Sequence, residues 1–285
     1  MNHKHLLSLY GLKWNPFGQD IPPEGLASRP QIDTFSWRIE QMAKGGGFAL
    51  LTGDPGTGKS AALRSLNKKL REIRDINVTI FSRPQSRIGD FYRELGHLYG
   101  IELKAHNAYG GFQALRERWQ AYCESSLIRP VILIDEAQEM PTTTLSELRL
   151  LSSSEFDSKN FLTIIFCSDR RLTERFRHPD LLPVGSRIKV RLLLEPLTRD
   201  EMIKAINELI SKAGNPNLMT QELIQILADH SLGNFRVMTT MATDLLIHAI
   251  AKEVQQLDEA LFFEVFNNHQ PKKKPPGKGP NNENK

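Results

Sequence analysis

The sequence predicts an α/β domain built on a parallel sheet, followed by a small all-helical domain. Three observations predict it. Residues 48–52, 131–134 and 161–168 are short apolar runs without polar alternation, the pattern of strands buried on both faces of a parallel sheet. A glycine-rich stretch, residues 53–60, joins the first run to a helical pattern. From Pro196 onward strand signals stop, and helix signals succeed one another to residue 269.

Taken in order, residues 1–31 read as an N-terminal arm. Asn15-Pro16-Phe17 makes a turn, and the Pro- and Gly-rich part, 19–31, reads as an extended strap over the core. The α/β core covers 32–195. It opens with an amphipathic helix at 32–43, with Ile32, Phe35, Ile39 and Met42 on one side. After the strand at 48–52 comes a helix with apolar positions 62, 63, 66 and 70. Residues 77–81 form a further strand, and a basic loop follows at 82–87. The helix at 88–99 turns Ile88, Phe91, Leu95 and Leu98 inward. A polar loop at 104–111 leads to a helix at 112–125. The helix after the strand at 131–134 spans 142–152. Residues 188–194 alternate apolar and basic side chains, as a strand near a sheet edge does.

In the helical region, 196–269, Thr198 and Glu201 form a capping box. Thr220 and Asp258 cap later helices, and Gly233-Asn234 breaks the chain before the helix at 235–252. That helix presents Val237, Met238, Met241, Leu245 and Ala249 on one face. The remaining piece, 270–285, is a basic tail expected to be disordered.

Bulk properties are those of an ordinary globular protein: 40% hydrophobic and 25% charged residues in 285. No apolar run reaches the ~18–20 residues that span a bilayer, and the first residues lack a signal-peptide pattern. A cytoplasmic protein without membrane contact is the expectation. Cys123 and Cys167 make no disulfide framework and read as small apolar residues. The net charge of +4 is local, because the tail carries five lysines against one glutamate. The tail either meets nucleic acid or an acidic partner, or serves solubility alone.

Two stretches carry chemistry. Gly53-Asp54-Pro55-Gly56-Thr57-Gly58-Lys59-Ser60 fits G-x-x-x-x-G-K-[ST], the phosphate-binding loop of nucleoside triphosphatases, and Ala61 continues into the helix. Its glycines let backbone N–H groups turn toward phosphate oxygens, and the helix N-terminus adds partial positive charge. Lys59 is placed to reach the β- and γ-phosphates of ATP, and Ser60 to hold Mg²⁺. The second stretch is Val131-Ile132-Leu133-Ile134-Asp135-Glu136. Ligands of open α/β sheets bind beyond the carboxyl ends of the strands, so both acids face the loop. Asp135 belongs to the Mg²⁺ shell, and Glu136 orients and deprotonates the attacking water.

With these residues placed, the chain resembles the AAA+ ATPases, and within them the ExeA-like branch. Asp135-Glu136-Ala137-Gln138-Glu139-Met140 with Leu145–Leu151, and Leu9–Phe17 with its Asn-Pro-Phe, carry that likeness. The resemblance implies a P-loop three-layer core with a helical lid. It implies that Ser168 is sensor 1, that Arg236 is sensor 2, and that Arg187 is an arginine finger acting on a neighbouring subunit, with Arg175 and Arg177 as alternatives. It sets Asn15, Pro16 and Phe17 near the adenine. A finger acting in trans implies a homo-oligomer, a ring or helical filament.

Secretion-type members of the branch carry a membrane anchor and a cell-wall-binding segment, and no counterpart of either is read here. The other group, of the TniB, TnsC, IstB and MuB type, assembles with ATP on duplex DNA and recruits or licenses a transposase. Residues 81–88 resemble the DNA-facing region of the TnsC type. Arg83, Arg87, Lys104, His106 and Asn107 are then the expected sequence-nonspecific phosphate contacts. A target-selection protein is a further implied partner. A secretion ATPase without a DNA role and an ATP-dependent signalling switch remain as alternatives.

Overall fold

The structure, a computed structural model, describes residues 3–103, 107–154 and 159–267. Helix α1 (His3–Tyr10) comes first, then α2 (Pro30–Ala43), β1 (Gly47–Gly53) and α3 (Lys59–Arg71). There follow β2 (Ile76–Phe81), α4 (Ile88–Tyr99), α5 (Ala108–Ser125) and β3 (Arg129–Ile134). Next are α6 (Thr142–Ser152), a short antiparallel pair β4 (Ser153–Ser154) and β5 (Lys159–Asn160), and β6 (Thr163–Ser168). Then come α7 (Arg170–Arg175), α8 (Leu182–Gly185) and β7 (Ile188–Leu194). The helical region holds α9 (Arg199–Ala213), α10 (Gln221–Ser231), α11 (Phe235–Ala251) and α12 (Glu259–Asn267).

The long strands form one parallel sheet in the order β2-β3-β6-β1-β7. Alternate side chains enter two apolar layers. Phe48, Leu50, Ile132, Ile134, Ile164 and Phe166 pack under α4 to α8. Ala49, Leu51, Val131, Leu133, Ile165 and Cys167 pack under α2 and α3. Each such side chain, if of Leu or Phe size, gains about 1.5–3 kcal/mol from leaving water. That gain on both faces is why these runs lack polar alternation, and it gives a P-loop three-layer core. β7 lies at the sheet edge and exposes Lys189 and Arg191, as its alternating pattern predicts.

A third apolar cluster belongs to the helical region, and the N-terminal residues are part of it. Leu6, Tyr10, Leu12, Phe17 and Ile21 pack with Ile206, Leu227, Met238, Leu245 and Phe262. The Tyr10 hydroxyl donates to the Val254 carbonyl at 2.8 Å, and the Lys13 amide to the Ala213 carbonyl at 2.8 Å. The strap at 19–31 does reach the core: Arg64 of α3 donates to the carbonyls of Gln19 and Ile21, and Lys68 pairs with Glu24 at 3.1 Å. So the N-terminal stretch completes the lid and then crosses to α3, rather than lying only over the α/β core.

Three local expectations change. α5 begins four residues early because the Asn107 side chain accepts from the Gly110 amide at 2.8 Å and caps it. On α4 the buried face is Phe91, Tyr92, Leu95 and Tyr99, with Ile88 and Leu98 only half-buried. On α11 Val237 is 41% exposed, and Met238, Ala242, Leu245, Leu246 and Ala249 form the buried side. The tail at 270–285 lies outside the described residues.

Candidate nucleotide site

The strand order sets the site. β1 and β3 flank β6, with Thr52 beside Ser168 and Ile134 beside Phe166, so three carboxyl ends share one sheet edge. Gly53 ends β1 and Asp135 follows β3.

Between Gly53 and Lys59 the loop is fastened from within. Thr57, 2% exposed, donates its hydroxyl to the Asp54 carbonyl at 2.8 Å. Its own carbonyl accepts from Arg29 at 2.9 Å. The Asp54 carboxylate is clasped by Arg170 through two bonds of 3.0 Å. Gly58 takes φ 95°, a region that suits glycine, and turns the chain into α3. The amides of Lys59, Ser60 and Ala61 therefore fall in a first helical turn, where no intrahelical acceptor exists. Lys59 Nζ donates to the carbonyls of Gly53 at 2.9 Å and Asp54 at 3.2 Å, which holds the amine at the loop.

Across from the loop stand the acids. Ser60 Oγ donates to Asp135 Oδ2 at 3.2 Å, and Asp135 Oδ1 accepts from the Glu136 amide at 2.9 Å. Beneath them burial, and secondarily Asp135, pushes the Cys167 thiol well up, so it stays neutral. Glu136 has φ 52°, a left-handed backbone that costs a non-glycine residue of order 1–3 kcal/mol. Its carboxylate accepts from Gln138 Nε2, and Gln138 Oε1 in turn accepts from the Asp169 amide at 3.2 Å.

An open cavity of about 1250 Å³ joins these parts. It is lined by Asn15, Pro16 and Phe17 of the N-terminal stretch and by Pro55, Gly56 and Gly58 to Ala61 of the loop. Glu136 and the lid residues Phe235 and Arg236 complete it. The volume accommodates a nucleotide. A hydroxyl and a carboxylate 3.2 Å apart are hard oxygen donors of the kind Mg²⁺ takes, since it binds one or two protein oxygens and keeps waters.

Not every expected residue faces this space. Ser168 is fully buried and donates its hydroxyl to the Asp169 carbonyl at 3.0 Å. Asp169 and Arg171 line the cavity in its stead, with Arg171 held by Asp169 at 2.7 Å and Glu139 at 2.9 Å. Arg187 precedes Ile188, which pairs with Phe48 at the opposite, amino end of the sheet, so it does not serve its own chain's cavity. Arg175, the first alternative, is spent within its own chain, donating to the carbonyls of Gln138 at 2.7 Å and Met140 at 2.8 Å. Its burial lowers its pKa. Arg177 is an exposed residue paired with Glu174 at 3.1 Å.

Arg83 and Arg87 are exposed in the β2–α4 loop, and Arg87 sits at the N-cap of α4. Asn107 spends its side-chain oxygen on capping α5. Lys104 and His106 lie outside the described residues. Residues that sequence reasoning missed are Arg29, Arg170, Gln138 and Asn234. Of these, Gln138 follows the acidic pair and Asn234 stands in Gly233-Asn234-Phe235-Arg236, the stretch that carries the lid arginine.

The fold is a three-layer α/β core in which a P-loop joins the first strand to a helix, followed by a helical region, with the loop and Glu136 lining one cavity. Residues 41–176 match the family model described as an AAA domain. The chain is similar to the General secretion pathway protein A of Aeromonas hydrophila, 28% identical over 251 residues, or 83% of this chain and 44% of that protein. It thus spans less than half the length of that relative. Among solved structures it resembles the Aeropyrum pernix ORC2 protein in ADPNP-ADP complexes, with TM-score 0.70 and 16% identity over 90% of this chain and 71% of that one. It also resembles the Aeropyrum pernix ORC1 protein in complex with DNA, with TM-score 0.68 and 15% identity over 89% and 68%. Among the described residues no helix is long and apolar enough to cross a membrane.

Proposed function

We propose that this chain is a Mg²⁺-dependent ATPase that assembles with ATP on duplex DNA and recruits or licenses a transposase. The observation that carries the ATPase reading is Ser60 bonded to Asp135, with Lys59 and Glu136 on either side in one cavity. The loop amides and Lys59 bind the phosphates. Ser60 and Asp135 hold Mg²⁺, which when bound neutralises charge on the β- and γ-phosphates. Glu136 takes a proton from water as its oxygen bonds to the γ-phosphorus, and the bond to the β–γ bridging oxygen breaks, releasing ADP. Arg236 reaches the nucleotide from the lid. Ser168 at the strand end holds the turn carrying Asp169, and Asn15, Pro16 and Phe17 border the adenine. Arg187 acts on the next subunit of a ring or filament.

The DNA reading rests on the exposed Arg83 and Arg87 and on the fold likeness to a DNA-bound ORC1. A second reading, a secretion-type assembly ATPase, is favoured by the likeness to General secretion pathway protein A. Gel mobility-shift of generic duplex at low salt separates them. The first reading expects binding with ATP, little without it, and a loss of affinity with salt that flattens in Arg83→Ala/Arg87→Ala, about one unit of log–log slope per lost phosphate contact. If ATP brings no DNA binding at low salt, the secretion reading replaces it.

A further inference from the structure

Asn234 is used twice. Its Oδ1 accepts from the amides of Arg236 at 2.9 Å and Val237 at 3.2 Å, capping α11. Its Nδ2 donates to the Pro55 carbonyl at 3.0 Å. The neighbouring Phe235 amide donates to the Gly56 carbonyl at 2.9 Å. Gly56 has φ 85°, and a Cβ there would stand 2.0 Å from Asn234 Oδ1. Loop and lid are therefore in direct contact at a point that tolerates no side chain.

The chemistry of the contact is selective. A phosphate-binding loop presents N–H groups inward, so its carbonyls are left for other partners. Here the lid takes the carbonyls of Pro55 and Gly56 and leaves the amides to the phosphates. The turn is anchored on its other side as well, because the Leu197 amide donates to the Gly233 carbonyl at 3.0 Å. Arg236, exposed and lining the cavity, follows two residues after Asn234 on the helix that Asn234 caps.

We infer that Asn234 is a positioning residue, which fixes the register of Arg236 and its helix against the phosphate loop. Through it the conformation of residues 55–56 and the placement of the lid arginine become one variable. The inference rests on the nucleotide reading of the cavity, and it assigns the coupling between its two halves.

Asn234→Ser tests it. Serine keeps a neutral capping oxygen but is too short to reach the Pro55 carbonyl. The expected result is a thermal midpoint close to the wild type, with affinity for a fluorescent ATP analogue reduced about five- to tenfold, the scale of one lost hydrogen bond. Added to Arg236→Ala, the serine variant should lower affinity no further, since it acts through that arginine. In the nucleotide-free protein, amide exchange at Phe235 should accelerate in Asn234→Ser. A capping role alone predicts the opposite pattern: Asn234→Ser like wild type and only Asn234→Ala less stable. Wild-type affinity within twofold, an undiminished effect on the Arg236→Ala background, or unchanged exchange at Phe235 overturns the inference. If the wild type binds no ATP, the nucleotide reading fails by itself, and exchange at Phe235 still decides the loop–lid contact.

Discussion

Glu136 stands on strained backbone at φ 52° with its carboxylate held by a buried glutamine, while Asp135 beside it leans on Ser60. Neighbouring acids thus have different surroundings, in keeping with the different roles proposed for them. With Glu136 as the proposed base, Glu136→Gln removes it and keeps the shape, so ATP binding should persist while hydrolysis falls roughly 10²–10⁴-fold. Steady-state phosphate release beside nucleotide titration measures both. The pair was legible in the sequence because four apolar residues ending in two acids is a local pattern, as is the loop at 53–60. The clasps were not legible. Arg170 meets Asp54 across 116 positions and Asn234 meets Pro55 across 179, and no spacing encodes such distances.

At the scale of elements, periodicity located the strands because buried parallel strands leave continuous apolar runs. The helix at 142–152 and the strand at 188–194 fall where the pattern placed them. Harder to read was the destination of the N-terminal stretch. Its apolar residues match either core, and only the tertiary structure assigns Leu6 and Tyr10 to the lid cluster. Asn107 looked like a polar loop residue because a cap and a solvated loop share composition. Leu6 is fully buried among lid residues, so Leu6→Ala should cost about 2–5 kcal/mol of the lid's stability. Urea unfolding followed by tryptophan fluorescence reads this, Trp14 being packed against the same cluster.

Across the whole molecule, two packed units meet at the cavity: the three-layer core supplies loop and acids, and the lid with the N-terminal stretch supplies Arg236 and Asn15 to Phe17. Arg29 ties them further, donating to the Thr57 and Glu195 carbonyls at 2.9 and 3.3 Å. Arg187 lies at the far end of the sheet, so its proposed role needs a second copy of the chain. Arg187→Ala should bind ATP normally and hydrolyse it poorly. Mixed with Glu136→Gln, itself inactive, it should regain activity, because a mixed oligomer unites an intact base with an intact arginine. Phosphate release across mixing ratios checks this, and no gain on mixing removes the trans assignment.

On the proposed reading the triphosphate lies between Lys59 and the Asp135–Glu136 pair. Calorimetric titration of Mg-ATP into the wild-type chain and into Lys59→Ala tests it most directly. The wild type should bind saturably and the variant not at all, both being folded by circular dichroism. Equal affinity in the two proteins would contradict it.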